Sequence, residues 1–584
     1  MDQQRAYDTV PAVVHMHLAR TFVGTARTFV GMARTDSALV NARAALVSAR
    51  RTRNRTIEGR ALSQLGHVYS SAGLADSARS YYASAISIMR EVGYKRGVRN
   101  ALAEMAESFR TGNEQKQLDR AVMYFDSAAA VVDLARRGAG EDENAVAFLE
   151  DQVDVFGGWA RAWAGRRAEV GSARSAASAL GAIERGRAQS LVDMVTRLQS
   201  SERVRGLAQF RPVVGRDLSI DVDSLLAPLR ASRTAALSYL HAGDTLFTWF
   251  LEPSGALHLQ PPVRITEAEL AQLIRSSRRS LGADDARSAP LNPDELSLSS
   301  DSLLSTRYPV DDWKRLAALL LTANLEATVP AGTPIVIVPH GTIGLLPFAA
   351  LTVGRDRFAA TRRASTPAGA RRTSSVQRVA LGTRNPLRYA PSFTALRASE
   401  ARPRVAVAQG RRGAAGSVAS SALVVGNPAM PFVYSGRWTT RSRLRSLPGA
   451  EAESQRIGTL LGVRTLTGKT ATESAVRRRM VDAPLIHFAT HGLGFGSAAS
   501  ARRSFVAFAP DSLQDGLLTL GELMDERALA LRAELVVLSA CQTGLGNLTR
   551  AEGSIGLQRA FLAKGARAAS SSAFGTLTTR RRDC

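Results

Sequence analysis

Four short apolar runs constrain the fold of this chain more tightly than any other feature. They read "TPIVIVPHG" (residues 333–341), "SALVVGNP" (421–428), "APLIHFATHG" (483–492) and "AELVVLSACQTG" (533–544). None alternates apolar with polar residues, and each stops on polar or glycine-bearing turn residues. A strand with one wet face alternates, so runs of this kind suit strands covered on both faces of a parallel sheet. Helical stretches separate them, among them "GAEAESQRIGTLLG" and "ATESAVRRRMVD". Strand, crossover helix and strand make an open α/β sheet, whose ligands and catalytic groups gather at the C-terminal strand ends. His491 and Cys541 stand at two such ends.

The first 195 residues read differently, as alanine-rich amphipathic helices with no strand pattern. In "ALSQLGHVYSSAGLADSARSYYASAI", Leu65, Gly66, Tyr69, Ala78, Tyr82 and Ala85 fall at the spacings of a tetratricopeptide repeat, which the segment resembles. Small residues there let two antiparallel helices approach, and aromatics fill the gap between neighbouring pairs. The core triplet recurs as Ala38, Ala42, Ala45, then Ala78, Tyr82, Ala85, then Ala121, Phe125, Ala128, with a weaker copy at Ala173, Ala177, Leu180. The steps are 40, 43 and 52 residues. An α-solenoid of helix pairs is expected over 1–195, closed by a long helix from Ala179 to Val195. Such surfaces take proteins, so the expected partner is a protein substrate or regulator. Residues 196–305 read as a connecting α/β region, with a β-hairpin in "TAALSYLHAGDTLFTWFLEPSGALHLQPP".

Composition narrows the function classes. The chain has two cysteines, Cys541 and Cys584, too few for a disulfide framework or a four-cysteine zinc site. A reducing, cytoplasmic compartment is the expectation, and no motif calls for a metal or cofactor. The start, "MDQQRAYDTVPAVVHMHLART", lacks the basic and apolar regions of a signal peptide, and no apolar window is long enough for a membrane span. The net charge of +25 invites a nucleic-acid reading. Against it, 71 of the 76 basic residues are arginine, and the interval 355–421 alone supplies +12. That interval is rich in Gly, Ser, Ala and Pro and poor in aromatics, so it reads as a solvated loop or insertion, and nucleic acid is not the expected partner.

A cysteine nucleophile attacks as the thiolate, and a nearby imidazole can take its proton and return it to the leaving amine. The two must therefore meet, as side chains on adjacent parallel strands joined by one crossover do. His491 and Cys541 are 50 residues apart, room for such a crossover. The backbone amides of Gly492 and Cys541 could then receive a tetrahedral oxyanion. Two histidines compete with His491. His487 sits four residues earlier, deeper in the strand, and reads as core or supporting. His340 also precedes a glycine at a strand end, and the residues alone leave it in contention.

"LIHFATHG", "DGLLTLGELMDERALALRAELVVLSACQTGLG" and "EGSIGLQRAFLAKGAR" together resemble the CHAT family of caspase-like cysteine peptidases, related to separase and often fused to tetratricopeptide repeats. "TPIVIVPHGTIGLLPFAAL", "RYAPSFTAL", "SALVVGNPAMP" and "LPGAEAESQRIGTLLG" follow the family's order, so the resemblance spans about residues 306–568 of an expected domain over 306–584. It implies a caspase-like sheet, His491 as the dyad histidine, Cys541 as the nucleophile and a structural role for the His340 segment. Two departures stand out. The arginine-rich run 358–384 replaces a compact connection, and "AASSSAFGTLTTRRRDC" stands where the family continues with another apolar strand. From this a truncated or frame-shifted end over 569–584 is expected, with a core strand and part of the cleft missing. Asp515 and Glu522 could form an acidic pocket for a basic residue, or be ordinary loop and helix-start carboxylates. The leading expectation is a His–Cys endopeptidase. The alternatives are an inactive interaction scaffold and, more distantly, nucleic-acid binding through the arginine-rich segment.

Overall fold

The computed structural model describes residues 32–111, 115–136, 153–166, 170–187, 220–280, 310–322, 325–354, 379–401, 421–435, 440–495, 498–526, 529–540, 547–549 and 553–571, together with residues 14, 189, 191, 192 and 195. The chain divides into two units: residues 1–186 with 214–223 and 257–259, and residues 187–213 with 224–256 and 260–584.

The first unit is built from helices α1 (Met32–Arg51), α2 (Arg55–Ser71), α3 (Ala75–Glu91), α4 (Lys95–Arg110), α5 (Gln115–Arg136), α6 (Val153–Gly165) and α7 (Ser172–Gly186). Each packs against the next along the chain. The close approach depends on small residues. Ala38, Ala42, Ala45, Ala78, Ala85, Ala121 and Ala128 are fully buried, with Tyr82 and Phe125 filling the space between them. A Cβ on Gly66 would lie 2.7 Å from the Tyr82 ring, so glycine lets α2 rest on that aromatic. Arg185 of α7 reaches back to α5, donating to Asp133 at 2.8 Å and Asp126 at 3.2 Å.

Two features of this unit differ from the expectation. The weaker repeat copy is out of phase: Ala173 is exposed, and the buried triplet is Ala176, Leu180 and Ile183, three residues on. Alanine abounds in both registers, so alanine spacing could not choose between them. Nor does one helix run from Ala179 to Val195, because α7 ends at Gly186 and the chain bends at Arg187. Arg187 donates to the Ser238 hydroxyl and the Tyr239 carbonyl, and Leu191, Val192 and Val195 pack with Ala395, Ala398 and Ala563, all of them within the second unit.

Among the described residues the second unit contains two larger sheets, with smaller two- and three-stranded ones beside them. In the first, β1 (Ala235–Ala242) and β2 (Thr245–Leu251) form the expected hairpin around Gly243, whose φ of +68° suits glycine. On its other edge β1 pairs in parallel with β3 (Ile335–Val338), which follows helix α8 (Val310–Leu320); β3 in turn pairs with β4 (Leu387–Tyr389), ahead of helix α9 (Phe393–Glu400). The run "TPIVIVPHG" is thus a buried parallel strand, as its pattern indicates, but in a different sheet from the other three runs. The reading of 355–421 as one loop fails over 379–401, where β4 and α9 lie. Leu381, Phe393, Ala395, Leu396 and Ala398 are buried there, and the arginines serve the fold: Arg384 donates to the Val329 carbonyl and Arg388 pairs with Glu400.

The second sheet holds the candidate site. Strand β5 (Leu423–Pro428) is followed by a two-stranded ribbon, β6 (Phe432–Ser435) and β7 (Thr440–Arg443), then helix α10 (Pro448–Leu461) and strand β8 (Leu466–Gly468). Helix α11 (Glu473–Met480) leads to β9 (Leu485–Ala489). A small antiparallel sheet follows, of β10 (Gly492–Leu493), β11 (Phe505–Ala507) and β12 (Leu517–Thr519), then helix α12 (Leu520–Asp525), β13 (Leu535–Ser539), helix α13 (Leu557–Ala563) and β14 (Ala569–Ser571). The order is β8-β5-β9-β13-β14, all parallel. Val425, Ile486, Phe488, Val536 and Leu538 are fully or almost fully buried, and Phe488 meets Phe508 edge to face at 5.0 Å. Gly426 has no room for a Cβ beneath Ser454, so α10 lies directly on β5. The fifth strand bears on the expected loss at the C-terminal side of the sheet: three residues, Ala569–Ser571, do extend it, pairing with β13. Residues 572–584 and the rest of the arginine-rich interval, 355–378 and 402–420, lie outside the described residues.

Candidate active site

Strands β9 and β13 are parallel neighbours, with Leu485 opposite Leu535 and, four residues on, Ala489 opposite Ser539. His491 follows Ala489 by two residues, and Cys541 follows Ser539 by two. The register therefore brings the two chain segments that carry the expected dyad to the same end of the same strand pair. Cys541 itself lies outside the described residues.

His491 is held from two sides. Its Nε2 lies 2.8 Å from the Arg445 carbonyl, which can only accept, so Nε2 carries the hydrogen and Nδ1 of the neutral ring is left as the basic nitrogen. Its backbone is tied into the small sheet: Ala507 N–H donates to the His491 carbonyl at 2.9 Å, and the Thr490 hydroxyl donates to the Ala507 carbonyl at 2.8 Å. Burial pushes the His491 pKa below its ordinary 6.5, while the bond to Arg445 partly opposes this. A neutral ring is the form that accepts a proton, so its environment suits a general base. Gly492 is buried and begins β10, opposite Val506.

The Arg445 carbonyl is placed by a residue that the sequence reading passed over. Asn427, at the end of β5, has a φ of +44°. Its Oδ1 accepts from Leu447 N–H at 2.7 Å and from the Ser446 hydroxyl at 3.1 Å, and its Nδ2 donates to Glu451 at 2.9 Å. Asparagine tolerates this left-handed backbone and offers both a donor and an acceptor, so it pins the segment that meets His491. An asparagine before a proline at a strand end, in "VVGNP", was the available signal.

The competing histidines have other work. His487 is 5% exposed, and its Nε2 lies 3.0 Å from Glu453 of α10. Burial lowers its pKa despite that carboxylate. It joins a helix to the sheet, as a core residue does. His340 lies two residues beyond β3 of the first sheet, and its Nδ1 accepts from His241 N–H at 3.3 Å.

Asp515 is exposed and accepts from Leu517 N–H at 2.9 Å. Glu522 closes a capping box on α12, accepting from Thr519 N–H and hydroxyl at 2.8 Å each. Both carboxylates are engaged in local structure, beside a third that the sequence reading missed. Glu473, at the start of α11, is fully buried, with Arg477 at 3.1 Å. It accepts from Gly516 N–H at 3.1 Å. Burial first, then the charge of Glu522, raises its pKa to about 7 against the partial opposition of Arg477. Gly516 lies in the loop joining β11 to β12, so Glu473 fastens α11 to the sheet that carries His491.

Residues 311–576 match the family model described as the CHAT domain. Over 183 aligned residues, 26% of this chain, the sequence is 33% identical to tetratricopeptide repeat protein 28 of Mus musculus; over 181 residues it is 34% identical to the Homo sapiens protein of that name. The matched part spans 7% of the length of either relative. A solved Saccharomyces cerevisiae separase–securin complex aligns over 95% of this chain and 43% of its own, at 10% identity and a TM-score of 0.40.

Proposed function

From the CHAT match over residues 311–576, we propose that this region is a cysteine endopeptidase working through a His491–Cys541 dyad, and that the N-terminal repeats recruit a protein substrate or regulator. The observation that supports the reading is the register of β9 on β13, which sets Ala489, two residues before His491, opposite Ser539, two residues before Cys541, together with the Arg445 carbonyl that fixes the His491 tautomer. In the mechanism, Nδ1 takes the thiol proton and the thiolate adds to the scissile carbonyl. The oxyanion so formed is received by the backbone amides of Gly492 and Cys541. Nδ1–H then protonates the leaving amine, and water hydrolyses the resulting thioester with the imidazole again as base. Asn427 acts earlier in the chain of support, by holding the loop whose carbonyl orients the base.

The test is covalent labelling of the full chain with a peptidyl electrophile directed at thiols, read by peptide mass spectrometry. Labelling concentrated at Cys541 and abolished by His491→Ala supports the dyad. Labelling that is equal in both proteins, or confined to Cys584, overturns it and leaves the interaction-scaffold reading.

A further inference from the structure

The β6–β7 ribbon stands next to the residues that hold His491, and its composition is unlike an ordinary solvated hairpin. Phe432 lies opposite Arg443 and Tyr434 opposite Arg441, so alternation puts all four side chains on one face. Phe432 is 43% exposed and Tyr434 54%. Among the described residues the exposed large aromatics are these two and Tyr389. The Arg441 guanidinium sits 4.6 Å from the centre of the Phe432 ring, and that of Arg443 sits 5.5 Å away. Two residues beyond β7 is exposed Arg445, whose carbonyl takes the His491 Nε2 hydrogen.

The charge on this face is unbalanced. From Ala429 to Leu447 the sequence contains no Asp or Glu. Among the described residues no carboxylate pairs with Arg441, Arg443 or Arg445, whereas Arg477, Arg502 and Arg567 of the same unit all have acidic partners. A guanidinium over a ring face spends none of its N–H groups on the ring; Arg443 gives its Nε hydrogen to the Met430 carbonyl at 3.0 Å, and its two terminal nitrogens and the edge of Arg441 face no described carboxylate.

We infer that this ribbon is a docking ledge for an extended, acidic stretch of polypeptide, the part of the substrate flanking the scissile bond. The assignment rests on the peptidase reading for the word substrate; the charge complementarity stands without it. Three features select the occupant. Arg441 and Arg443 are two residues apart on a strand, a repeat of roughly 7 Å, which an extended peptide with acidic residues at alternate positions reproduces. The exposed rings give its intervening side chains an apolar surface. Among the described residues no third strand pairs with either outer edge of the ribbon, so main-chain bonds to a peptide are available, and a nucleic acid has no such ladder to offer.

The test uses the full chain carrying Cys541→Ala, so that nothing is turned over, and fluorescence anisotropy at physiological salt. The probes are a labelled peptide alternating Glu with Thr, its Gln-for-Glu twin and a thymidine oligonucleotide of equal length. Three variants separate site from bulk charge: Arg441→Glu with Arg443→Glu, Phe432→Ala, and Arg478→Glu with Arg479→Glu on the exposed side of α11. The glutamate peptide is expected to bind about tenfold more tightly than its twin and to lose about tenfold on reversal of the ribbon arginines. Phe432→Ala weakens it several-fold, and the α11 reversal, with the same change in net charge, leaves it unchanged. Equal losses from the two charge reversals, or equal binding of the twin peptides, overturn the inference. So does an oligonucleotide that binds more tightly than the peptide and depends on the ribbon arginines. Failure of the peptidase reading is read separately: a ribbon that binds as stated, beside a Cys541 that no electrophile labels, removes the dyad and keeps the acidic-peptide site. A labelled Cys541 with a silent ribbon does the reverse.

Discussion

Replacing Glu473 with Gln changes how the C-terminal unit responds to pH, and the size of the change follows from where the carboxyl sits. The side chain is fully buried, and its pKa is raised from an ordinary 4.5 to about 7, first by burial and then by the charge of Glu522. A carboxyl whose folded value lies above its unfolded value favours folding while protonated. Its contribution is therefore complete below pH 4.5 and is lost as pH rises through about 7. At about 1.4 kcal/mol per pH unit, the interval from 4.5 to about 7 sets a ceiling of ~3 kcal/mol on that loss. Glutamine is neutral at every pH and keeps an oxygen to accept from Gly516 N–H, so the variant lacks this titration. Its amide faces Arg477 less favourably than a carboxylate does, which offsets part of the gain. The assay is thermal or urea unfolding of both proteins from pH 4.5 to 8.5. The variant is expected to gain on the parent as pH rises, reaching ~3 kcal/mol at most by pH 8, or roughly 4 °C in melting temperature for a unit of this size. Parallel pH profiles, or a variant that falls behind the parent at high pH, refute the reasoning: they mean that Arg477 keeps Glu473 ionised and that the ion pair outweighs the burial.

Two further expectations test other parts of the molecule. Gly66→Ala raises the helix propensity of α2 by about 1 kcal/mol yet puts a Cβ 2.7 Å from the Tyr82 ring; overpacking of ~1–3 kcal/mol prevails, and urea unfolding registers a net loss for the repeat unit. A gain in stability would show that the two helices separate freely. The ring C–H resonance of His491, assigned by its absence in His491→Ala, titrates with a midpoint below 6.5 because burial disfavours the imidazolium; a midpoint above 6.5 contradicts that account.

What could be read from the sequence divides along physical lines. Strands β5 and β9 were legible because burial on both faces writes itself as an uninterrupted apolar run; β13 carries the same kind of run although only Val536 and Leu538 are buried and the residues flanking them in the strand are half-buried. Helices α10 and α11 were legible from their periodicity between those runs. Which sheet a run joins was not legible: β3 pairs with β1, about a hundred residues upstream, and backbone ladders leave no mark on side-chain type. Arg384 and Arg388 looked like loop charge because an arginine that bonds a distant carbonyl or carboxylate has the same composition as a solvated one. At the site, the His–Gly and Ala–Cys ends were visible and their common register was not. Glu473 was invisible for a related reason. An acid in the first turn of a helix is ordinary near the dipole's positive end, and only the loop at Gly516, some forty residues later, buries it.

The proposed dyad requires His491 and Cys541 to stand side by side beyond a shared register, and a designed cross-link reads that placement directly. In a chain carrying His491→Cys and Cys584→Ser, the only thiols are at 491 and 541. Neighbouring strands lie about 4.8 Å apart, inside the roughly 4.4–6.8 Å between Cα atoms that a disulfide spans. Mild oxidation should consume both thiols and give a single peptide pair joined through positions 491 and 541. Two thiols that remain titratable in the folded, oxidised protein would contradict the placement, and the proposed dyad with it.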